Sequence, residues 1–158
     1  MTEHDRLLVD AYRGEVFGAA FFATFATHER DAARLDKLRA LEQIEARTAA
    51  VLRDHAAASA VDVGADDEPR QQGVELGEAA SAGGWDAFVR GLHDALPSFL
   101  ANFVRLRELS ADPHADALQT LVTHEQVINA FAELELAGHA DLSGAVLQRY
   151  LEHAGASA

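Results

Sequence analysis

The sequence predicts an all-α protein, a bundle of four long helices with one long crossover connection and a short fifth helix at its C-terminal end. Three observations support this prediction. Apolar residues make up 49% of the 158 residues, and much of that share is alanine and leucine. Only three prolines are present. Along four long segments, apolar positions recur at steps of three and four, which is the period of a helix with one buried face.

The first two helices are predicted over residues 3–27 and 31–58, and each has a glutamate on its apolar stripe. Steps of three and four residues relate Leu8, Tyr12, Glu15, Ala19, Phe22 and Ala26 on the first helix. The same steps relate Leu38, Leu41, Glu45, Thr48, Leu52 and His55 on the second. A turn near residue 30 puts Glu15 and Glu45 at nearly the same height in an antiparallel hairpin. Because a buried carboxylate without a partner is costly, this pair indicates a metal site or a paired polar cluster.

Gly14 and Gly18 lie four residues apart on a second apolar stripe of the first helix. A glycine inside a helix costs about 1 kcal/mol relative to alanine, and it is tolerated where another backbone approaches closely. We therefore expect this helix to be buried on two sides, by the bundle and by either a further helix or a second subunit. A homodimer through the Gly14/Gly18 face is the assembly that we expect.

The next part of the chain is a long connection followed by a helix. Residues 59–82 lose the helical period and contain several glycines and an acidic run. We expect them to form a crossover or a surface loop, with no more than a short turn of helix. The following helix is predicted from Gly84 or Trp85 to Ser110, and Pro97 is expected to kink or break it.

A fourth long helix is predicted to begin at Pro113, with Asp112 as its N-cap, and to end at Ala137 before Gly138. Its buried stripes contain Leu118, Leu121, His124, Glu125, Ile128, Phe131 and Ala132. A short fifth helix is predicted over residues 142–153.

The segments LRALEQIEART and LQTLVTHEQVI align so that Glu45 matches Glu125. Inward-facing carboxylates on equivalent helices are typical of bundles that hold metal. Together with GEVFGAAFF, which contains Glu15, and THEQVINAFAELELAG, these segments resemble the ferritin-like superfamily over residues 5–137. Di-iron members of that superfamily take one glutamate from each of two helices and a Glu-x-x-His motif from each of the other two. The resemblance implies that Glu15 is the lone glutamate of the first helix, and that Glu45 and Glu125 are the glutamates of two further helices.

The sequence departs from this ligand pattern at three places. Thr48 and Ile128 occupy the two positions where histidine is expected, and no glutamate lies in the middle of the helix predicted over residues 84–110. His124, next to Glu125, is the candidate to replace a missing ligand. The candidate metal ligands are Glu15, Glu45, Glu125 and His124.

Two functions from different classes follow from these residues. Oxygen-donor ligands suit iron or manganese, and a carboxylate-bridged di-iron site would make the protein an oxidoreductase that activates oxygen. The alternative is a degenerate bundle without metal, which serves as a structural or protein-interaction module and pairs its glutamates with Arg, Tyr or Thr side chains. The sequence does not identify the small-molecule substrate.

Composition argues against several other classes. The formal net charge of −13 disfavours binding to nucleic acids and to anionic membranes, since both attract basic proteins. The lack of cysteine excludes disulfides, thiolate metal sites and cysteine nucleophiles. The N-terminal residues are acidic and polar, so we expect no signal peptide, and no apolar run approaches the ~18 residues of a membrane-spanning helix. We expect a cytoplasmic protein whose residues 1–158 form one domain.

Overall fold

The computed structural model describes residues 1–156, which fold into helices joined by short connections. The helices are α1 (Glu3–His28), α2 (Ala32–Ala58), α3 (Asp67–Gly83), α4 (Trp85–Leu109), α5 (Asp116–Leu136) and α6 (Ala140–Ala156). No strand occurs within the described residues, so the predicted all-α class is confirmed. Among the helices of this part of the chain, none is long and apolar enough to cross a membrane.

The hairpin of α1 and α2 begins where the sequence predicts, because local side chains cap both helices. The Thr2 hydroxyl accepts a hydrogen bond from the Asp5 amide at 3.1 Å, and the Asp5 carboxylate accepts one from the Thr2 amide at 3.0 Å. Asp31 caps α2 by accepting a hydrogen bond from the Arg34 amide at 2.9 Å. Such caps satisfy amide groups that the first turn of a helix leaves unpaired.

Residues 59–82, expected to be a crossover or a loop, contain the 17-residue helix α3. Only residues 59–66 connect α2 to α3, and α3 then packs along α1. Pro69, Gly73 and Gly77 lie at steps of four residues and form the buried face of α3. A helical period was therefore present in this segment, but it was formed by proline and glycine instead of large apolar side chains.

The glycines of α3 allow its backbone to lie directly on α1. A Cβ added to Gly77 would lie 2.7 Å from the Phe21 carbonyl oxygen, and one added to Gly73 would collide with the Phe17 carbonyl oxygen. The helix α3 thus covers the face of α1 that contains Phe17, Ala20, Phe21 and Thr24. The expected Gly14/Gly18 stripe is not the face that α3 contacts, since Gly14 has no atom near its added Cβ and Gly18 lies against Glu45.

Alanine substitutions of two glycines should therefore shift stability in opposite directions. Gly73→Ala is expected to lower the free energy of unfolding by about 1–3 kcal/mol, because the new methyl group overpacks the α1–α3 contact. Gly14→Ala is the matched control on α1, since no atom lies within 4 Å of its added Cβ. It should stabilise the protein by about 0.5–1 kcal/mol through helix propensity alone. Urea denaturation measures both, and a Gly73→Ala protein as stable as the wild type would contradict the close approach.

The later helices differ from their predicted bounds for local reasons. The helix α4 continues through Pro97, so the expected break is wrong; Pro97 is exposed and its missing amide removes only one backbone hydrogen bond. The helix α5 begins at Asp116 instead of Pro113. Asp112 accepts a hydrogen bond from the His114 amide at 3.1 Å, which stabilises a turn and leaves Asp112 outside the helix.

The C-terminal part of the chain is more helical than predicted. Gly138 has a φ of 80°, a left-handed conformation that favours glycine, and it follows α5 as expected. The last helix, α6, is 17 residues long where a short helix over residues 142–153 was predicted. It packs against both α5 and α2.

The core consists of two apolar clusters along the bundle. The first includes Phe22, Phe25, Leu38, Ile44, Phe88, Ile128 and Phe131. The second includes Leu8, Tyr12, Leu52, Phe103, Leu118 and Leu121. Between the two clusters lie the buried polar residues Glu15, Glu45, His124 and Glu125. These four polar side chains, which come from α1, α2 and α5, therefore lie at one level of the bundle.

Candidate metal centre

The structure brings all four predicted ligand residues together, and we call them the Glu–His cluster. Glu15 lies on α1, Glu45 on α2, and His124 and Glu125 on α5. All four residues are buried, with exposed fractions between 0% and 7%. One donor atom from each of Glu15, Glu45 and His124 lies within 4.8 Å of the others. This group of donors could hold a metal ion.

The orientation of His124 is determined by its own helix. Its Nδ1 lies 2.6 Å from the Leu121 carbonyl oxygen, and since a carbonyl only accepts, Nδ1 carries a proton and donates it. In neutral histidine, Nε2 then presents a lone pair. Nε2 lies 3.1 Å from a Glu15 carboxylate oxygen and 3.5 Å from one of Glu125. Histidines that bind metals in proteins are typically oriented in this way, with the other ring nitrogen donating to a backbone carbonyl.

The carboxylates of the Glu–His cluster are buried without a lysine or arginine to neutralise them. Within the described residues, the only basic group in an ion pair with Glu15 or Glu125 is His124. Glu15 Oε2, His124 Nε2 and Glu125 Oε1 are buried and have no hydrogen-bond partner. These facing acceptors need either protons on the carboxylates or a cation between them, since buried polar atoms are costly when they stay unpaired.

Burial controls the protonation of these carboxylates. It raises the pKa of Glu15 to about 8, opposed by a hydrogen bond with Glu45 and reinforced by the charge of Glu125. Burial also raises the pKa of Glu125 to about 7, although the nearby His124 acts in the opposite direction. The pKa of Glu45 is raised by burial and then by the charge of Glu15. Without a metal ion, the cluster therefore retains protons near neutral pH.

Glu135 shows how the same chain treats a buried carboxylate that has a structural role. Its side chain accepts hydrogen bonds from Lys37 Nζ at 2.5 Å, from Trp85 Nε1 at 2.8 Å and from the Ser143 hydroxyl. Burial alone would raise the pKa of Glu135, but these three donors together lower it. Within the described residues, Glu135 therefore has the kind of cationic partner that Glu15 and Glu125 of the Glu–His cluster lack.

Several neighbours of the cluster have other partners. The Tyr12 hydroxyl, three residues before Glu15 on α1, donates to Asp66 at 2.8 Å. Thr48, which occupies an expected histidine position, donates to the Ile44 carbonyl oxygen at 2.9 Å. The helix α4 contributes no side chain to the cluster.

The role of Gly18 differs from the one that the sequence suggested. A Cβ at this position would lie 2.7 Å from a carboxylate oxygen of Glu45. Gly18 is buried, and it leaves the space that the Glu45 carboxylate occupies. Its spacing of three residues from Glu15, which puts both on one helical face, was the signal for this role.

A groove between α1 and α4, which the sequence analysis did not anticipate, opens beside the cluster. Its volume is about 620 Å³, and the three carboxylates of the Glu–His cluster line part of it. Most of the remaining wall is apolar and includes Phe17, Phe21, Phe88, Leu92, Leu96 and Phe103. Among the phenylalanines of α1, Phe22 and Phe25 are buried in the core, and Phe21 and Phe22 line the groove.

No family model matches this chain, and no curated protein or solved structure matches it. The ferritin-like resemblance therefore stays a prediction from the sequence motifs. What the structure adds is independent of that resemblance. Donor atoms of Glu15, Glu45 and His124 lie within 4.8 Å of one another at a buried point beside an apolar groove, and a carboxylate oxygen of Glu125 lies 3.5 Å from His124 Nε2. Three oxygen donors and one nitrogen donor form a set suited to divalent transition metals.

Proposed function

We propose that this chain is a ferritin-like metalloprotein that binds iron or manganese in the Glu–His cluster and uses the metal for oxidation–reduction chemistry. The observation that supports this proposal best is the convergence of four buried donor side chains that have no lysine or arginine partner. A metal ion would neutralise the carboxylates and satisfy the unpaired atoms of Glu15, Glu125 and His124.

The donor set bears on the identity and number of the metal ions. Carboxylates suit manganese, and a mixture of carboxylate and imidazole also suits iron, whereas no soft thiolate ligand is present. Four side chains supply most of the ligands of one ion. A second ion, as in a carboxylate-bridged pair, would share these carboxylates and take its remaining ligands from water.

The residues around the site have separable tasks. The Leu121 carbonyl holds the His124 ring so that Nε2 points at the carboxylates. Gly18 gives the Glu45 carboxylate its space. The cluster borders the apolar groove on one side, and a substrate would reach the bound metal from that side. An iron or manganese ion there would supply or accept electrons.

Metal uptake by matched variants tests the proposal. Chelator-treated protein is loaded anaerobically with Fe(II) or Mn(II), and metal content is measured by plasma mass spectrometry after gel filtration. We expect at least one ion per chain in the wild type and none above background in Glu45→Gln. Glutamine has the shape of a protonated glutamate, so Glu45→Gln should barely change the melting temperature of the metal-free protein. Oxygen consumption by the Fe(II)-loaded wild type, absent in Glu45→Gln, tests the redox part.

Glu135→Gln is the control for this experiment, because Glu135 is buried but has structural partners. It should lower the melting temperature with or without metal and leave metal uptake unchanged. If the wild type binds no metal above background, the proposal is wrong and the metal-free structural or interaction module is the remaining function. Light scattering on the same samples tests the homodimer that the sequence predicts.

A further inference from the structure

We propose that the groove between α1 and α4 binds an elongated, uncharged hydrocarbon-chain molecule with one end near the Glu–His cluster. This inference names the substrate class of the proposed metal site and rests on that function for its chemistry. Binding itself depends on the shape and charge of the groove, both of which the structure shows.

The dimensions of the groove fit a small ligand. Its volume of about 620 Å³ lies within the roughly 300–1,000 Å³ of ordinary ligand sites. Along α1, its lining residues extend from Leu7 to Phe22, which corresponds to about four helical turns or roughly 22 Å. The cavity is therefore long and suits a chain-like molecule.

Two glycines keep the groove open. Gly14 on α1 and Gly91 on α4 both line it, and an added Cβ at either position would have no atom within 4 Å. Neither glycine is required by a close backbone contact or a positive φ. Glycine lowers helix stability relative to alanine, and packing does not explain why glycine occupies these two positions. Leu76 and Phe99 also line the groove and stay 51% and 48% exposed, as apolar side chains at the entrance of a site for an apolar ligand would.

The charges around the groove select against anions. No lysine, arginine or histidine lines it, and apart from the cluster carboxylates its charged or amide side chains are Asp10 and Asn102. A carboxylate or phosphate head group would thus find no cationic side chain, and burying an unpaired charge is costly. The ligand that fits is a neutral chain, such as a long alcohol or alkane, and not a fatty acid or an acyl phosphate.

Calorimetric titration with two ten-carbon probes tests this inference. Chelator-treated protein is titrated with 1-decanol and with decanoate, so that the result does not depend on metal. We expect one 1-decanol per chain, and decanoate to bind at least about tenfold more weakly. The variant Gly91→Phe should abolish 1-decanol binding by filling the groove. Ser98→Phe, which adds the same ring to an exposed position of α4 outside the groove, should bind like the wild type.

Each other result overturns the inference in a specific way. Binding of decanoate as tight as that of 1-decanol would contradict the uncharged class. Unchanged binding to Gly91→Phe would place the probe elsewhere. A further contradicting result is a dimer, detected by light scattering, that does not bind 1-decanol. If Gly91→Phe dissociates that dimer, a second copy of the chain covers the groove. Metal content measured in Gly91→Phe should equal that of the wild type, so failure of the metal proposal and failure of this one are distinguishable.

Discussion

Metal-free protein is expected to lose several kcal/mol of unfolding free energy as the pH rises from 5 to about 9. The folded pKa of Glu15 is raised from an ordinary value of 4.5 to about 8, and that of Glu125 to about 7. Over this range, the folded state holds protons that the unfolded state has released, so stability falls with rising pH. One pKa unit corresponds to about 1.4 kcal/mol, which makes the expected loss large.

Three comparisons make this prediction specific. Glu15→Gln should reduce the slope between pH 5 and pH 8, because one of the three carboxylates with a raised pKa is gone. Saturating Mn(II) should reverse the slope, since metal binds the deprotonated ligands and competes with protons. Asp5, Asp66 and Glu135 have lowered pKa values, so their contributions are lost only under more acidic conditions. Urea denaturation at a series of pH values measures all of this, and a flat profile for the metal-free protein would show that the cluster is not protonated as inferred.

Lys37→Met is expected to lower the free energy of unfolding by about 3–5 kcal/mol, because it leaves the buried Glu135 carboxylate without its cation. Lys37 and Glu135 have side chains that are each only 8% exposed, and their charged atoms lie 2.5 Å apart. Trp85 and Ser143 would still donate to the carboxylate, but neither supplies a positive charge. Chemical denaturation at pH 7 measures the loss.

A double variant identifies the cause of that loss. In Lys37→Met/Glu135→Gln, the buried charge is removed while an acceptor for Trp85 and Ser143 is kept, so much of the lost stability should return. Arg105→Met is the exposed control, since Arg105 pairs with Glu3 at 3.1 Å where both side chains are 48% exposed; it should change stability little. If the double variant is as unstable as Lys37→Met, the apolar stem of Lys37 contributes the stability and not its charge.

The Glu–His cluster could be predicted from sequence because its geometry depends on local features. The helical period assigns Glu15, Glu45 and Glu125 to inward faces, and a hairpin with a short turn then sets Glu15 and Glu45 at one height. Caps such as Asp31 determine where a helix begins from a few neighbouring residues. Each of these steps uses residues that are close in the chain, so one sequence suffices.

Other features depend on contacts between distant segments, which periodicity does not encode. In the sequence, Gly73 is typical of a loop. Only the structure shows that the Phe17 backbone packs against it and requires a glycine there. Lys37 and Glu135 are 98 residues apart, and neither has a pattern that marks it as buried. Gly14 and Gly18 look equivalent in the sequence, but one opens the groove and the other makes room for Glu45.

Because no α4 side chain belongs to the cluster, metal binding and ligand selectivity depend on different helices. The four candidate ligands come from α1, α2 and α5, whereas Gly91, Leu92, Phe99 and other residues of α4 form the facing wall of the groove. Substitutions on that wall can reshape what the groove accepts without moving a ligand atom. Evolution, or a designer, can thus vary selectivity on one helix while the chemistry on the other three is inherited unchanged.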